Sequence, residues 1–593
     1  MENILTGKKL ALVFSCMLLS VLLIALDQTI LATALPRIAS EFNAFSKQGW
    51  IASAFILTQT AFILPAGQAL RILSSKWLLI GCIVIFEVGS VVCGASNNVD
   101  VLIFGRALSG VGAAGMFTSM IQILAQVTLI EQRAKLFGLF GAVFGISSII
   151  GPLMGGAFTD HVSWRWCFYI NLPVGGVTLV AVTILLKSLP PLGLDPKADR
   201  SFKGQLKEVL RMDWLSAILT LGSITCLILA IQWGGNTRPW SDPGVIVCLV
   251  LAVVLMIVLV PWQIYLGERA MLPPNIFISY SIPAIVLNAL LNRLTMLIFV
   301  YYVPIFYQAV KNYSATKSGV SLLPMMLATV FSVIIAGRLV ARFGRYWYFL
   351  VGGPIPVAIA SGLMFTWTEN TALGKLIGYQ ILLGVGIGVA LQNSLFAMQA
   401  EFNKKPKYIS QATGLGTFGQ FLGGVIGLAI AESTFANELS KNFVKYIPDY
   451  ASLPTELKLI IRQAPSKIYT DVPLELRSSV IHSYVKAIQI CFIIGVPAAA
   501  LGLLAGLFIK NININADKAD NKALLEARKA AKSGDVTPVA GDLEKGEGGS
   551  ETVLEEKEGV TSIPMLRRLS SESPASTNVN LGGETTPAVK EVS

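Results

Sequence analysis

Four charged side chains stand inside otherwise apolar sequence: Asp27, Glu87, Arg106 and Arg293. Asp27 falls in "LDQTILATALP" (26–36), directly after the run "LALVFSCMLLSVLLIA" (10–25). A carboxylate in such surroundings can take up and release a proton, and an arginine within reach sets which form is favoured. Other chemistry is thinly supplied. The chain has two histidines, His161 and His482, and its seven cysteines are scattered singly. Neither a zinc site nor a Ser-His-Asp arrangement is spelled out, so no metal and no enzymatic activity is expected.

The elements that must hold these charges follow from composition. The 593 residues are 54% hydrophobic and 14% charged, with a mean hydropathy of +0.65. Soluble domains average about 25% charged residues, so this composition predicts an all-α polytopic membrane protein. The net charge of +11 comes largely from short basic clusters between apolar runs, which topology explains better than nucleic-acid binding. A helix needs about 20 apolar residues to cross a bilayer. Fourteen candidate spans meet that need: 10–34, 49–70, 77–95, 101–126, 136–158, 166–186, 212–232, 244–265, 281–306, 316–337, 345–366, 374–398, 408–432 and 484–509. Alternate loops carry most of the Lys and Arg, which places both termini in the cytoplasm.

Between the spans lie 1–9 at the cytoplasmic N-terminus, a cytoplasmic linker at 187–211 and an external loop at 433–483. The tail 510–593 is rich in Glu, Ser, Lys and Gly and is expected to be disordered. Within it, "LRRLSSESP" offers Ser570 and Ser573 as phosphorylation sites. The chain also repeats itself: "GQALRILSSK" (67–76) follows the second span and "GRLVARFGRY" (337–346) follows the tenth. That register implies six helices (10–186), an additional pair (212–265) and six more (281–509), with a site between the halves.

Depth separates the charged residues. Asp27 lies about seventeen residues, or about 25 Å, from Leu10. It is either an outer flank, the end of a signal peptide closed by "ATA" (32–34), or a carboxylate kept in the membrane. Arg106, early in the fourth span, either snorkels outward or finds a partner. Glu87 lies near mid-membrane, as a permanently neutral carboxyl or a titrating one. Arg293, also at mid-depth and beside Asn292, either binds an anionic or carbonyl-rich substrate or pairs with a carboxylate. Tyr301, Tyr302, Tyr307, Gln392, Asn393 and Gln420 complete an expected substrate cavity, suited to large and mostly apolar molecules.

Several motifs resemble the fourteen-span drug:proton antiporter branch of the major facilitator superfamily, fungal toxin-efflux pumps above all. They are "LDQTILATALP" in the first span, "LIFGRALSGVGAAG" (102–115) in the fourth and "GLFGAVFGISSIIGPLMGG" (138–156) in the fifth. "WRWCFYINLPVG" (164–175) and "DWLSAILTLGSITCLILAIQWGG" (213–235) extend the likeness. The resemblance implies two six-helix bundles with two additional central helices. It also implies proton coupling through Asp27 with Arg106 as its partner, and a rocking fifth helix built on Gly138, Gly145, Gly151, Pro152, Gly155 and Gly156. The sequence departs from the pattern in three places: Arg71 and Ala341 stand where the loop motif usually has an acid, and Ser147 replaces one glycine of the fifth-helix motif.

The function expected is proton-coupled efflux of small amphiphilic molecules, such as a toxin, secondary metabolite or drug, by alternating access. The energy source is the proton gradient, with no cofactor; the partners are the substrate, protons and the bilayer; the state is monomeric. The plasma membrane is the expected location, with a vacuolar or vesicle membrane as the other. Uptake of a nutrient or iron chelate, or a non-transporting membrane sensor, are the competing readings.

Overall fold

Hydrocarbon offers the backbone no water to bond, so a chain this apolar must satisfy its own amides within helices. The computed structural model describes residues 4–42, 47–192, 201–234, 238–463 and 468–516; Ser570 and Ser573 lie outside them. Among the described residues are fourteen helices long and apolar enough to cross a membrane. The first six are α1 (Gly7–Glu41), α2 (Gln48–Ala69), α3 (Ser75–Gly94), α4 (Val99–Val127), α5 (Ile130–His161) and α6 (Trp166–Leu185). Next come the pair α7 (Trp214–Trp233) and α8 (Pro243–Leu266). The last six are α9 (Ser281–Lys311), α10 (Leu323–Phe343), α11 (Trp347–Phe365), α12 (Leu373–Glu401), α13 (Ile409–Tyr446) and α14 (Leu474–Leu507).

Side chains at the helix ends fix where several of these begin and stop. Asn98 accepts the Val101 amide at 2.8 Å to start α4, and Asp213 accepts the Ser216 amide at 3.1 Å to start α7. Left-handed Asn312 ends α9 and left-handed Gly344 ends α10. Several boundaries differ from the sequence expectation. Pro36 does not close the first helix, which runs on to Glu41; packed membrane helices tolerate the lost amide donor. Part of the polar segment 433–483 is helical as well. Phe435, Leu439 and Phe443 recur every four residues and carry α13 to Tyr446, with Phe435 and Phe443 both packing on Tyr484 of α14.

Helices α1–α6 pack on one another, with α4 against α2 and α3 and with α1 against α5 and α6. In α9–α14 the matching contacts are α12 against α10 and α11, and α9 against α13 and α14. The halves meet along α5 with α10 and α2 with α13. The α7–α8 pair packs together, and α7 touches α2 and α13. Both copies of the loop motif sit where the halves touch. A methyl group on Gly67 would lie 3.3 Å from the Ser410 carbonyl, and one on Gly337 would lie 2.5 Å from the Ala134 carbonyl.

The face carrying these motifs, hereafter the basic face, is tied together by the α8–α9 connection. Gln68 donates to the Arg269 carbonyl at 2.9 Å, and Gln411 of the other half donates to the Met271 carbonyl at 2.9 Å. Arg71 donates to the Glu268 carbonyl and to Gln411 Oε1, and Tyr408 donates to the Glu268 carboxylate at 2.7 Å. Burial lowers the Arg71 pKa while the Glu268 carboxylate acts the other way. An arginine in the loop motif therefore makes its bonds to the opposite half and to the linker.

Candidate functional site: a buried ion pair and the seam between the halves

Asp27 and Arg106 meet inside the first six helices. Arg106 Nη1 donates to Asp27 Oδ2 at 2.6 Å, and both side chains are buried. Arg106 Nε donates to the Ile51 carbonyl at 3.3 Å, and its guanidinium lies 4.5 Å from the Phe55 ring and 5.9 Å from that of Phe168. The other carboxylate oxygen accepts Asn171 Nδ2 at 3.1 Å, and that amide is shared with Ser90 Oγ at 3.2 Å. Five helices thus build one network: α1 supplies the carboxylate, α4 the cation and α6 the amide that bond it, while α2 gives a carbonyl to the cation and α3 a hydroxyl to the amide. A buried pair of this kind is costly to break from one side, because the remaining charge has no water to turn to.

Two residues beyond Asp27, Thr29 connects this cluster to α5 by donating to the Ser147 carbonyl at 2.9 Å. The α5 glycines divide into two sets. Gly151 and Gly155 face α1, where methyl groups would clash with Thr29 and with the Ile30 carbonyl. Gly138, Gly141 and Gly145 face Val330, Val333 and Ile334 of α10 in the other half. Pro152 lies between Gly151 and Gly155 inside the helix, whereas Gly156 has open space where a methyl would go. One helix therefore touches the ion-pair helix with one set and the opposite half with the other.

Glu87 stands apart from this cluster. Both its oxygens are buried without a hydrogen-bond partner, and its carboxyl lies against Gly175 of α6. It lines a groove of about 350 Å³ with Val84, Val88, Val91, Leu172 and Leu179. Val84, Val88 and Val91 are exposed on the outer surface, so the groove faces the lipid side of the bundle.

The expected cavity residues separate in the same way. Arg293 is half-buried, and its guanidinium lies 5.6 Å from the Phe421 ring. Half-buried Asn292 donates to the Ile387 carbonyl at 3.4 Å, and half-buried Gln392 has an unpaired Oε1. Asn393 turns back to the Val389 carbonyl at 2.7 Å, and Gln420 donates to the Leu391 carbonyl at 2.8 Å, so both are engaged within the second half. Tyr302 is buried against Phe435 at 5.2 Å, and Tyr301 is exposed.

The second half has its own counterpart of the ion pair, made of neutral groups. Gln380 of α12 donates Nε2 to Tyr307 Oη of α9 at 3.1 Å, with both residues buried. Sequence reasoning did not single out Gln380 or Asn171, though both are visible in it. "LIGYQILLGVG" (376–386) repeats the Leu-Ile, Leu and Gly-Val-Gly of "LIFGRALSGVG" (102–112) and puts Gln380 at the Arg106 position. Asn171 lies inside "WRWCFYINLPVG", where it is the one amide side chain.

Among the described residues, fourteen helices long enough to cross a membrane form two similarly packed sets of six and an additional pair, with a buried ion pair in the first set, the architecture of a polytopic membrane transporter. The chain matches the Major Facilitator Superfamily family model over residues 17–428, and it belongs to that superfamily. It is 37% identical over 525 residues to the MFS-type transporter phomT of Diaporthe leptostromiformis, covering 87% of this chain and 86% of that one. It is also 37% identical over 505 residues to the MFS-type efflux pump MFS1 of Arthroderma benhamiae, covering 85% of this chain and 92% of that one. Among solved structures, the human organic anion transporter MFSD10 shares the fold with a TM-score of 0.54 at 13% identity, covering 85% of this chain and all of that one.

Proposed function

We propose that the protein is a proton-driven exporter of small amphiphilic molecules, working with its basic face in the cytoplasm and placed in the plasma membrane. The observation that carries this reading is the Asp27–Arg106 pair, an acid held in the interior by one cation and one amide. Protonating Asp27 removes its charge and leaves Arg106 to the Ile51 carbonyl and the two rings. The constraint on α1 changes, and α1 is bonded to α5 at Ser147 and packed on it at Gly151 and Gly155. The α5 glycines facing α10 then pass the change to the other half. Proton binding at one site and substrate binding at the seam would thereby favour opposite tilts of the halves. Relatives named as efflux pumps support the outward direction, and the excess of Lys and Arg on one face supports the orientation.

The test uses the full chain in proteoliposomes with an imposed pH gradient and a fluorescent amphiphile as cargo. Asp27→Asn should abolish gradient-driven movement while still binding the cargo, and Asp27→Glu should retain coupling. Undiminished antiport by Asp27→Asn would overturn the assignment.

A further inference from the structure

Arg293 stands about twelve residues into α9, at about 1.5 Å per residue, which puts it near the middle of the membrane. Its stem lies on α13 where Gly424 leaves room: a methyl group there would come 3.3 Å from Arg293 Cγ. The guanidinium lies beside the Phe421 ring, and Phe421 meets Phe117 of α4 edge-on at 6.1 Å. Phe117 belongs to the first half and Phe421 to the second, so the cation sits at the seam between them. Among the described residues its side-chain hydrogen bond goes to Met296 Sδ at 3.6 Å, a weak acceptor. Among the described residues no carboxylate lies within ion-pair distance of it. Arg106, the other deeply placed guanidinium, has a carboxylate at 2.6 Å. A half-buried guanidinium with spare donors beside an aromatic pair has the chemistry to bind a planar anion once the halves part at the seam.

We propose that the transported molecule supplies the missing counter-charge: an acidic amphiphile whose carboxylate or ionised phenol binds Arg293 while its flat apolar body lies against Phe421 and Phe117. The inference rests on the exporter reading above and specifies its cargo. It has an energetic consequence. Exchanging one monoanion outward for one proton inward moves two elementary charges in the same electrical sense, so an inside-negative potential drives export even without a pH gradient.

Pyrenebutyric acid and its methyl ester provide a matched pair that differs in the charge. In proteoliposomes the wild type should bind and move the acid about tenfold better than the ester, roughly the strength of one charge-assisted hydrogen bond. Arg293→Gln should remove that preference, with elution in detergent and far-ultraviolet circular dichroism matching the wild type to show that the variant is folded. Arg293→Lys should keep part of the preference, because an ammonium retains the charge without the fork. A potassium diffusion potential, negative on the cytoplasmic side, should accelerate both probes and the acid more steeply, because the acid's exchange moves two charges and the ester's one. Equal handling of acid and ester by the wild type, or an unaltered preference in Arg293→Gln, would overturn the inference and leave the exporter reading standing. If neither probe bound or moved, both would fall.

Discussion

Seven positions after the start of α4 stands Arg106, and seven after the start of α12 stands Gln380. Each reaches across to the first helix of its own half, Arg106 to Asp27 and Gln380 to Tyr307. The glycines that follow are matched as well. Gly110 and Gly112 press against α2 and α3, and Gly384 and Gly386 press against α10 and α11. The same helix crossing is therefore built once around an ion pair and once around an amide and a phenol. The second half is an internal control: close packing at this position requires the glycines and does not require the charges. What the charges add is a group that can change its protonation, which is why we propose the coupling role for Asp27 and not for the packing around it.

The largest effect should come from breaking the pair on one side. Arg106→Gln leaves the buried Asp27 charge with amide donors and no counter-charge, and removing one partner of a buried pair costs about 3–5 kcal/mol. The combined Asp27→Asn and Arg106→Gln variant should be markedly more stable than Arg106→Gln alone, because two amides can bond across the same gap as the neutral pair does in the second half. Thermal unfolding in detergent measures both. Equal destabilisation of the single and double variants would mean that shape, and not charge, sets the cost in the first half.

A smaller effect should separate the two glycine sets of α5. Gly155→Ala drives a methyl into the Ile30 carbonyl on α1 and should cost about 1–3 kcal/mol, as overpacking does, with transport lost alongside. Gly138→Ala meets the Val333 carbonyl at 3.2 Å, a contact that a slight separation of α5 and α10 relieves. It should slow transport with little change in stability. Gly156→Ala, with open space before it, should stay within about 0.5 kcal/mol of the wild type. Transport rates and unfolding temperatures measured on the three variants would expose a wrong assignment of faces.

The scaffold was legible because its causes are local and repeated. Fourteen apolar runs, basic clusters in alternate loops and glycines at close approaches are all written in consecutive residues. Asp27 and Arg106 were legible for a related reason: a charge in an apolar run needs a partner, and few were available. Glu87 obeyed the same logic and ended elsewhere, because which side of α3 it occupies depends on how α3 and α6 pack and not on its depth. The tyrosines divided likewise, since Tyr301 and Tyr302 are neighbours in sequence yet one is exposed and the other buried against Phe435. Arg293 remained undecided between a carboxylate and a substrate because the choice depends on every other helix at the seam.

The smallest expected effect is the one that bears most directly on the contrast between the halves. Tyr307→Phe removes the hydroxyl that accepts from Gln380, but Gln380 Nε2 also donates to the Leu376 carbonyl at 3.2 Å and keeps that partner. The ring itself remains packed, stacked on Tyr313 at 5.4 Å and close to Trp367. The loss should therefore be about 1 kcal/mol, the net value of one neutral hydrogen bond. The pH dependence of transport should not move, because neither member of the pair changes charge in the working range. Measuring transport against pH for Tyr307→Phe beside Asp27→Asn separates the two crossings. If Tyr307→Phe also uncoupled transport from the proton gradient, the second half would no longer be a purely structural copy, and the argument from its neutrality would fail.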